Sequence, residues 1–148
     1  MIIEAWQVAD VFSTQKRSEV MSLIRDKDTK PEIMVRRFLR KQGFGYRKHV
    51  SWLPGKPDIV LTKYRCAIFV NGCFWHGHEG CKYFVIPKTR TEWWMKKISE
   101  TRVRDKKKYD QLLELGWRVF VIWECDLKNC FELSMDTLAQ RIRNPNLP

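Results

Sequence analysis

Apolar residues recur along this chain at helical spacing in some stretches and in short unbroken runs in others, and the change of spacing marks out its elements. Val20, Leu23 and Ile24 form one stripe behind Ser13 or Thr14, either of which suits an N-cap, so a first helix is predicted from there to about Lys27. The second helix is framed more sharply. Thr29 can cap it, Pro31 suits its first turn, Gly43 stops it, and Ile33, Val35, Phe38 and Leu39 are its core candidates. The spacing then shortens. Residues 46–50, 58–62 and 66–70 read as strands, with Lys63, Tyr64 and Arg65 as a tight hairpin connection between the last two. Residues 71–90 are irregular and hold most of the Gly, His and Cys. A long helix is predicted from near Thr91 to just before Gly116, then a buried strand over residues 118–123 through Val119, Phe120, Val121 and Ile122. A last helix runs from about Ser134 to Arg143.

Hairpin-linked strands followed by a helical crossover imply an α/β fold, a mixed central sheet flanked by helices. Catalytic groups on such sheets sit at strand ends and in the loops beyond. The 148 residues fit a single domain, with residues 1–12 as an N-terminal extension.

Charge narrows the function. The chain carries 28 Lys and Arg against 17 Asp and Glu, a formal net charge of +11. The long helix alone holds Lys96, Lys97, Arg102, Arg104, Lys106, Lys107 and Lys108. A polyanionic partner follows, with nucleic acid ahead of an anionic membrane surface. No apolar run is long enough to span a bilayer, and the residues after Met1 mix Glu4, Gln7 and Asp10 with apolar ones, unlike a signal peptide. The five cysteines, Cys66, Cys73, Cys81, Cys125 and Cys130, are odd in number. A reducing cytoplasm is expected, and clustered Cys with His there points to metal rather than disulfides.

Two prolines and a glycine, in Pro54-Gly55-Lys56-Pro57, lead into Asp58 at the start of a strand. A carboxylate held that rigidly can bind Mg²⁺, which phosphodiester cleavage uses to neutralise phosphate charge and acidify water. It can equally end an ordinary turn. The next strand carries no carboxylate. Its end, Asn71-Gly72-Cys73-Phe74-Trp75-His76, offers main-chain carbonyls, an amide and an imidazole instead. Glu32 is a second, distant carboxylate, or simply a first-turn charge opposing the helix dipole.

Cys73-x4-His78-x2-Cys81, with Cys125 after the later strand, has the donor types of a closed tetrahedral zinc site that would hold a Gly-rich loop in shape. His76 has equally good spacing from Cys73. If His78 is the ligand, His76 is free to act as a general base near neutral pH. Cys66 reads as a core residue, and Cys130 has no evident partner. Seven tryptophans are many for this length. Phe74-Trp75 lies in the polar loop and Trp93-Trp94 opens the basic helix, an arrangement suited to wedging between bases while Lys and Arg hold phosphates. Any one of these rings could instead pack beneath the loop. Met21 is a further wedge candidate, or a core residue of the first helix.

Taken in order, Pro54 to Asp58, Tyr64 to Phe69, Gly72-Cys73-Phe74-Trp75-His76, Thr89 to Trp94, Leu115 to Val119 and Trp123-Glu124-Cys125 resemble the very short patch repair endonucleases over roughly residues 13–139. The resemblance implies a restriction-endonuclease-like core. It implies a nick in double-stranded DNA on the 5′ side of the thymine in a T·G mismatch, the lesion left when 5-methylcytosine deaminates. Asp58 would bind Mg²⁺ with the carbonyl of Val70, His76 would be the general base, and Glu32 would assist. Zinc would be held by Cys73, His78, Cys81 and Cys125. Phe74, Trp75 and Trp94 would wedge into the DNA, with Met21 entering from the opposite groove. Where the best-known pattern has Thr-His, this chain has Val70-Asn71, so Asn71 stands at a supporting catalytic position without an imidazole. A monomer suits a single-strand nick. The rival readings are a restriction-type nuclease indifferent to mismatches and a non-catalytic, zinc-stabilised DNA-binding module.

Overall fold

The structure, a computed structural model, describes residues 27–147. The predicted first helix, Met21 and the N-terminal extension lie outside them. Helix α1 spans Lys30–Lys41, and the Thr29 side chain caps it by accepting from the Glu32 N–H at 3.3 Å. Val35 and Leu39 are its buried apolar face, while Ile33 and Phe38 are half-buried.

Strand β1 is only Arg47–Lys48, shorter than the predicted residues 46–50. His49 takes a left-handed conformation, φ 53°, which breaks the extended run. Its N–H still reaches the Asp58 carbonyl at 3.1 Å. Strand β2 is Ile59–Leu61 and β3 is Cys66–Asn71, paired antiparallel. Their connection is a 3-10 turn, Thr62–Tyr64, closed by Arg65 at φ 51°, rather than a minimal hairpin of three residues.

Helix α2, Thr91–Glu114, carries the chain back so that β4, Arg118–Trp123, lies parallel to β3. The sheet order is β1-β2-β3-β4. Of β4 only Phe120 is buried. Among the described residues the strand is an edge, so its apolar residues are less covered than their run in the sequence suggests. Two helices follow where one was predicted. The chain turns straight from β4 into α3, Glu124–Asn129, and α4 then spans Phe131–Arg143, starting three residues earlier than Ser134.

Alternation along the strands splits the core in two. Ile59, Leu61 and Ile68 pack with α1 and α4 through Val35, Leu39, Met135 and Ile142. Val60, Ala67 and Phe69 pack on the other face with Leu112 and Trp117. Each fully buried aliphatic side chain stabilises by roughly 1.5–3 kcal/mol. The Arg118 guanidinium donates to the carbonyls of Arg141 and Ile142, tying β4 to the end of α4. Among the described residues no helix is long and apolar enough to cross a membrane.

One consequence governs the site. Because β2 is antiparallel to β3 and β4 parallel to it, the start of β2 and the ends of β3 and β4 lie at one end of the sheet. Asp58, Asn71 and Glu124 therefore share that end.

Candidate active site and metal centre

The turn before β2 holds Asp58 from several sides. Pro57 is fully buried, and Gly55 sits at φ 78° where an added Cβ would meet Lys108 Cβ at 3.1 Å and the Phe69 ring at 3.2 Å. Only glycine fits between the turn, helix α2 and strand β3. Asp58 Oδ2 accepts the Val70 N–H at 2.7 Å, which leaves its other oxygen for a further partner. Burial raises the Asp58 pKa, opposed by the Val70 hydrogen bond and by His49, His76 and Arg36.

Glu32 points inward from the first turn of α1 and is 2% exposed. That position does not suit a solvated dipole charge. Its Oε2 accepts the Asp28 N–H at 3.1 Å and lies 3.6 Å from Arg36 Nη1. Burial, and then the charge of Asp58, push its pKa up to about 7. Two desolvated carboxylates lining one cleft, Asp58 raising the pKa of Glu32, are hard-oxygen donors of the kind Mg²⁺ takes.

Nothing in the residue pattern announced the network behind Glu32. Arg36 meets Asp28 at 2.9 Å, and His49 Nε2 meets the same carboxylate at 3.1 Å. Asp28, Glu32 and His49 are close enough to hold a cation, but Arg36 already stands among them as one.

The end of β3 is supported by α2. His76 Nδ1 is 2.7 Å from Asp105 Oδ2, and Asn71 Nδ2 donates to the Tyr109 hydroxyl at 2.9 Å. Asp105 and Tyr109 are four residues apart, hence on one helical face. That i, i+4 pair was the available signal, hidden within a helix that otherwise reads as basic. Gly77 keeps the loop close to α2. At φ 62° it leaves room for no side chain, since a Cβ would sit 2.5 Å from Ile98 Cγ2, and its carbonyl accepts two bonds from Arg102, at 2.8 and 2.6 Å.

Asp58, Glu32, Asn71, His76 and Tyr109 line one cleft of about 760 Å³. Lys56, Arg104 and Lys108 also line it. An acidic floor with basic walls suits a polyanion bound over a cation.

Cys73, His78, Cys81 and Cys125 converge with all four ligand atoms within 4.8 Å of one another. Thiolates around a tetrahedral metal lie about 3.8 Å apart, so this cluster is of the size to hold a metal ion. The fold also separates the two histidines. His78 Nδ1 is 3.5 Å from Cys125 Sγ, and its ring stacks on Trp123 at 4.0 Å and 1°, while His76 turns to Asp105. Burial raises the thiol pKa of Cys73 and pushes Cys125 up to about 11, so a bound cation is what would make them thiolates. Cys66 is buried in the core, and Cys130 is exposed.

The aromatic residues form a cluster. Phe74 is 1% exposed and packs on Trp75 at 5.0 Å and Trp94 at 5.2 Å. Trp94 is likewise buried, Trp75 is half-buried and lines the cleft, and Trp93 is the exposed ring, flanked by Arg90 and Lys97.

Residues 9–82 match the family model described as DNA mismatch endonuclease Vsr. The chain is 50% identical over 122 residues to the type II nicking enzyme V.NmeAIP of Neisseria meningitidis, covering 82% of this chain and 86% of that protein. It is 42% identical over 135 residues to the DNA mismatch endonuclease Vsr of Escherichia coli, covering 91% and 86%. It is also 42% identical over 137 residues to the type II nicking enzyme V.XorIIP of Xanthomonas oryzae, covering 93% and 96%. The chain belongs to the Vsr family of DNA mismatch endonucleases.

Proposed function

We propose that this DNA mismatch endonuclease nicks one strand of double-stranded DNA on the 5′ side of the thymine in T·G mispairs, initiating very short patch repair where 5-methylcytosine has deaminated. The observation that carries the reading is the His76–Asp105 pair in the same cleft as two raised carboxylates, Asp58 and Glu32.

Asp105 accepts from Nδ1–H of His76, which fixes the tautomer that leaves Nε2 with a lone pair for a water proton. Lys56, Arg104 and Lys108 hold the backbone phosphates. Asp58, the Val70 carbonyl and Glu32 are the oxygen donors that would hold Mg²⁺. When bound, that ion supplies charge neutralisation at the scissile phosphate and a more acidic water. The Cys73, His78, Cys81 and Cys125 centre takes zinc in a structural role, since four protein donors close the coordination shell. Trp75 is the leading edge of the wedge, with Phe74 and Trp94 behind it in one block and Met21 approaching from the other groove. The scaffold is read as a restriction-endonuclease-like core, acting as a cytoplasmic monomer.

The direct test is a nicking assay on a labelled duplex carrying one T·G mismatch in several flanking contexts, beside the matched duplex, with and without Mg²⁺. A single Mg²⁺-dependent nick 5′ of the mismatched T is the expected result. Equal cutting of the matched duplex would move the assignment to a restriction-type nuclease. Binding without cutting in every context would leave a binding module.

The imidazole assignment makes its own prediction. Asp105→Asn keeps the shape but favours the other tautomer, so single-turnover nicking falls on the order of 10- to 100-fold with duplex affinity unchanged. A wild-type rate in that variant would remove the pair from the mechanism.

A further inference from the structure

Asn71 closes β3, is buried, and gives its amide Nδ2–H to the Tyr109 oxygen at 2.9 Å. A phenol oxygen that accepts one hydrogen bond still has its own proton to donate. Among the described residues no acceptor takes that proton, and Tyr109 lines the cleft together with Asp58, His76 and Asp105. The ring cannot wander. It packs on Phe69 at 4.9 Å against the core of Val60, Leu112 and Trp117.

Burial pushes the Tyr109 pKa to about 12, against the lowering effect of the Asn71 bond, and the charges of Asp105 and Asp58 act in the same direction as burial. The hydroxyl therefore stays protonated at neutral pH and serves as a donor, never as a base. What enters this cleft under the nicking reading is a phosphodiester, whose non-bridging oxygens only accept and gain charge as the reaction proceeds. Donors fixed beforehand at such oxygens are the effective ones, because nothing has to reorganise during the step.

Resting on the nicking reading, we infer that Tyr109 is a catalytic residue, its hydroxyl, positioned by Asn71, donating a hydrogen bond to a non-bridging oxygen of the scissile phosphate. No bond to Tyr109 forms or breaks, and its proton remains on the phenol. The Asn71–Tyr109 pair thus supplies a donor at the wall where the family resemblance led us to expect a histidine.

The test is Tyr109→Phe, which deletes one oxygen and keeps the ring on Phe69, assayed beside wild type on the T·G duplex with Mg²⁺. The expected result is a fall in kcat of about 10- to 100-fold with KM and Tm unchanged, the range for loss of one hydrogen bond to a charged transition state. A stereopure phosphorothioate at the scissile phosphate separates contact from mere packing, because sulfur is a poor acceptor. One diastereomer slows wild type, and that penalty shrinks in Tyr109→Phe. Adding Asn71→Ala to Tyr109→Phe lowers kcat little further, as expected of one coupled unit. A Tyr109→Phe enzyme at wild-type kcat, or one with the wild-type penalties for both diastereomers, would overturn the role. A wild type inert on every duplex would instead sink the nicking reading itself, and this role with it. A nicking wild type with an unaffected Tyr109→Phe sinks only the present inference.

Discussion

Asp58→Asn abolishes strand cleavage, lowering the single-turnover rate on the order of 10³-fold or more, the scale set by loss of a site's principal charge. The substitution is nearly isosteric. The amide oxygen can still accept the Val70 N–H, now 2.7 Å from Oδ2, so the turn keeps its shape. What disappears is the negative charge at the floor of the cleft. That charge is buried, so its removal relieves a desolvation cost and the thermal midpoint holds or rises slightly. Duplex affinity depends on the basic walls and changes little. The measurement is a pair of assays, cleavage and mismatch binding, on the same preparation. Cleavage that survives would place the metal-binding carboxylate elsewhere.

If the Cys73–His78–Cys81–Cys125 centre holds zinc as proposed, stripping that metal has the second large effect, this time on stability. Metal binding in structural zinc sites stabilises by on the order of 10 kcal/mol, comparable with the whole stability of a domain. Residues 72–90 hold no regular element, and apart from Cys73 and Phe74 few of their side chains are deeply buried, so under the proposed zinc reading a metal would be what shapes them. Cys125 joins that loop to the start of α3. The expected result is one zinc per chain by elemental analysis, and a melting midpoint that falls steeply with a strong chelator or in Cys125→Ser. Nicking is lost together with the fold of the loop, because His76 lies between two of the ligands. Metal-free protein that melts identically with and without chelator would remove the structural role.

The elements that could be read from the chain alone are those whose signals are local. Thr29, Pro31 and Gly43 framed α1, and the basic run after Thr91 gave α2 its length, because caps and helical spacing act over one or two turns. Strand β1 was overextended because the left-handed His49 is not a turn residue by type. Helix α3 was overlooked because six residues after a strand carry too little periodicity to register. The donor types of both candidate metal sites were visible, since each chemistry needs particular residue types. Their assignment was not. The choice between His76 and His78 depends on which ring meets Cys125 and which meets Asp105, contacts made across 47 and 29 residues.

The sequence by itself determined the α/β class, the preference for a polyanionic partner, the family and the set of candidate ligands, because composition, spacing and motif order carry those directly. The tertiary structure alone decided which carboxylates share the cleft, which rings are buried and which residues support the candidate catalytic groups. Asp105 and Tyr109 are unremarkable on a lysine-rich helix until the parallel return of β4 lays α2 across the sheet face and brings them to the end of β3. Local signals act over a few residues, whereas burial, pKa shifts and hydrogen-bond partners arise only where distant segments meet.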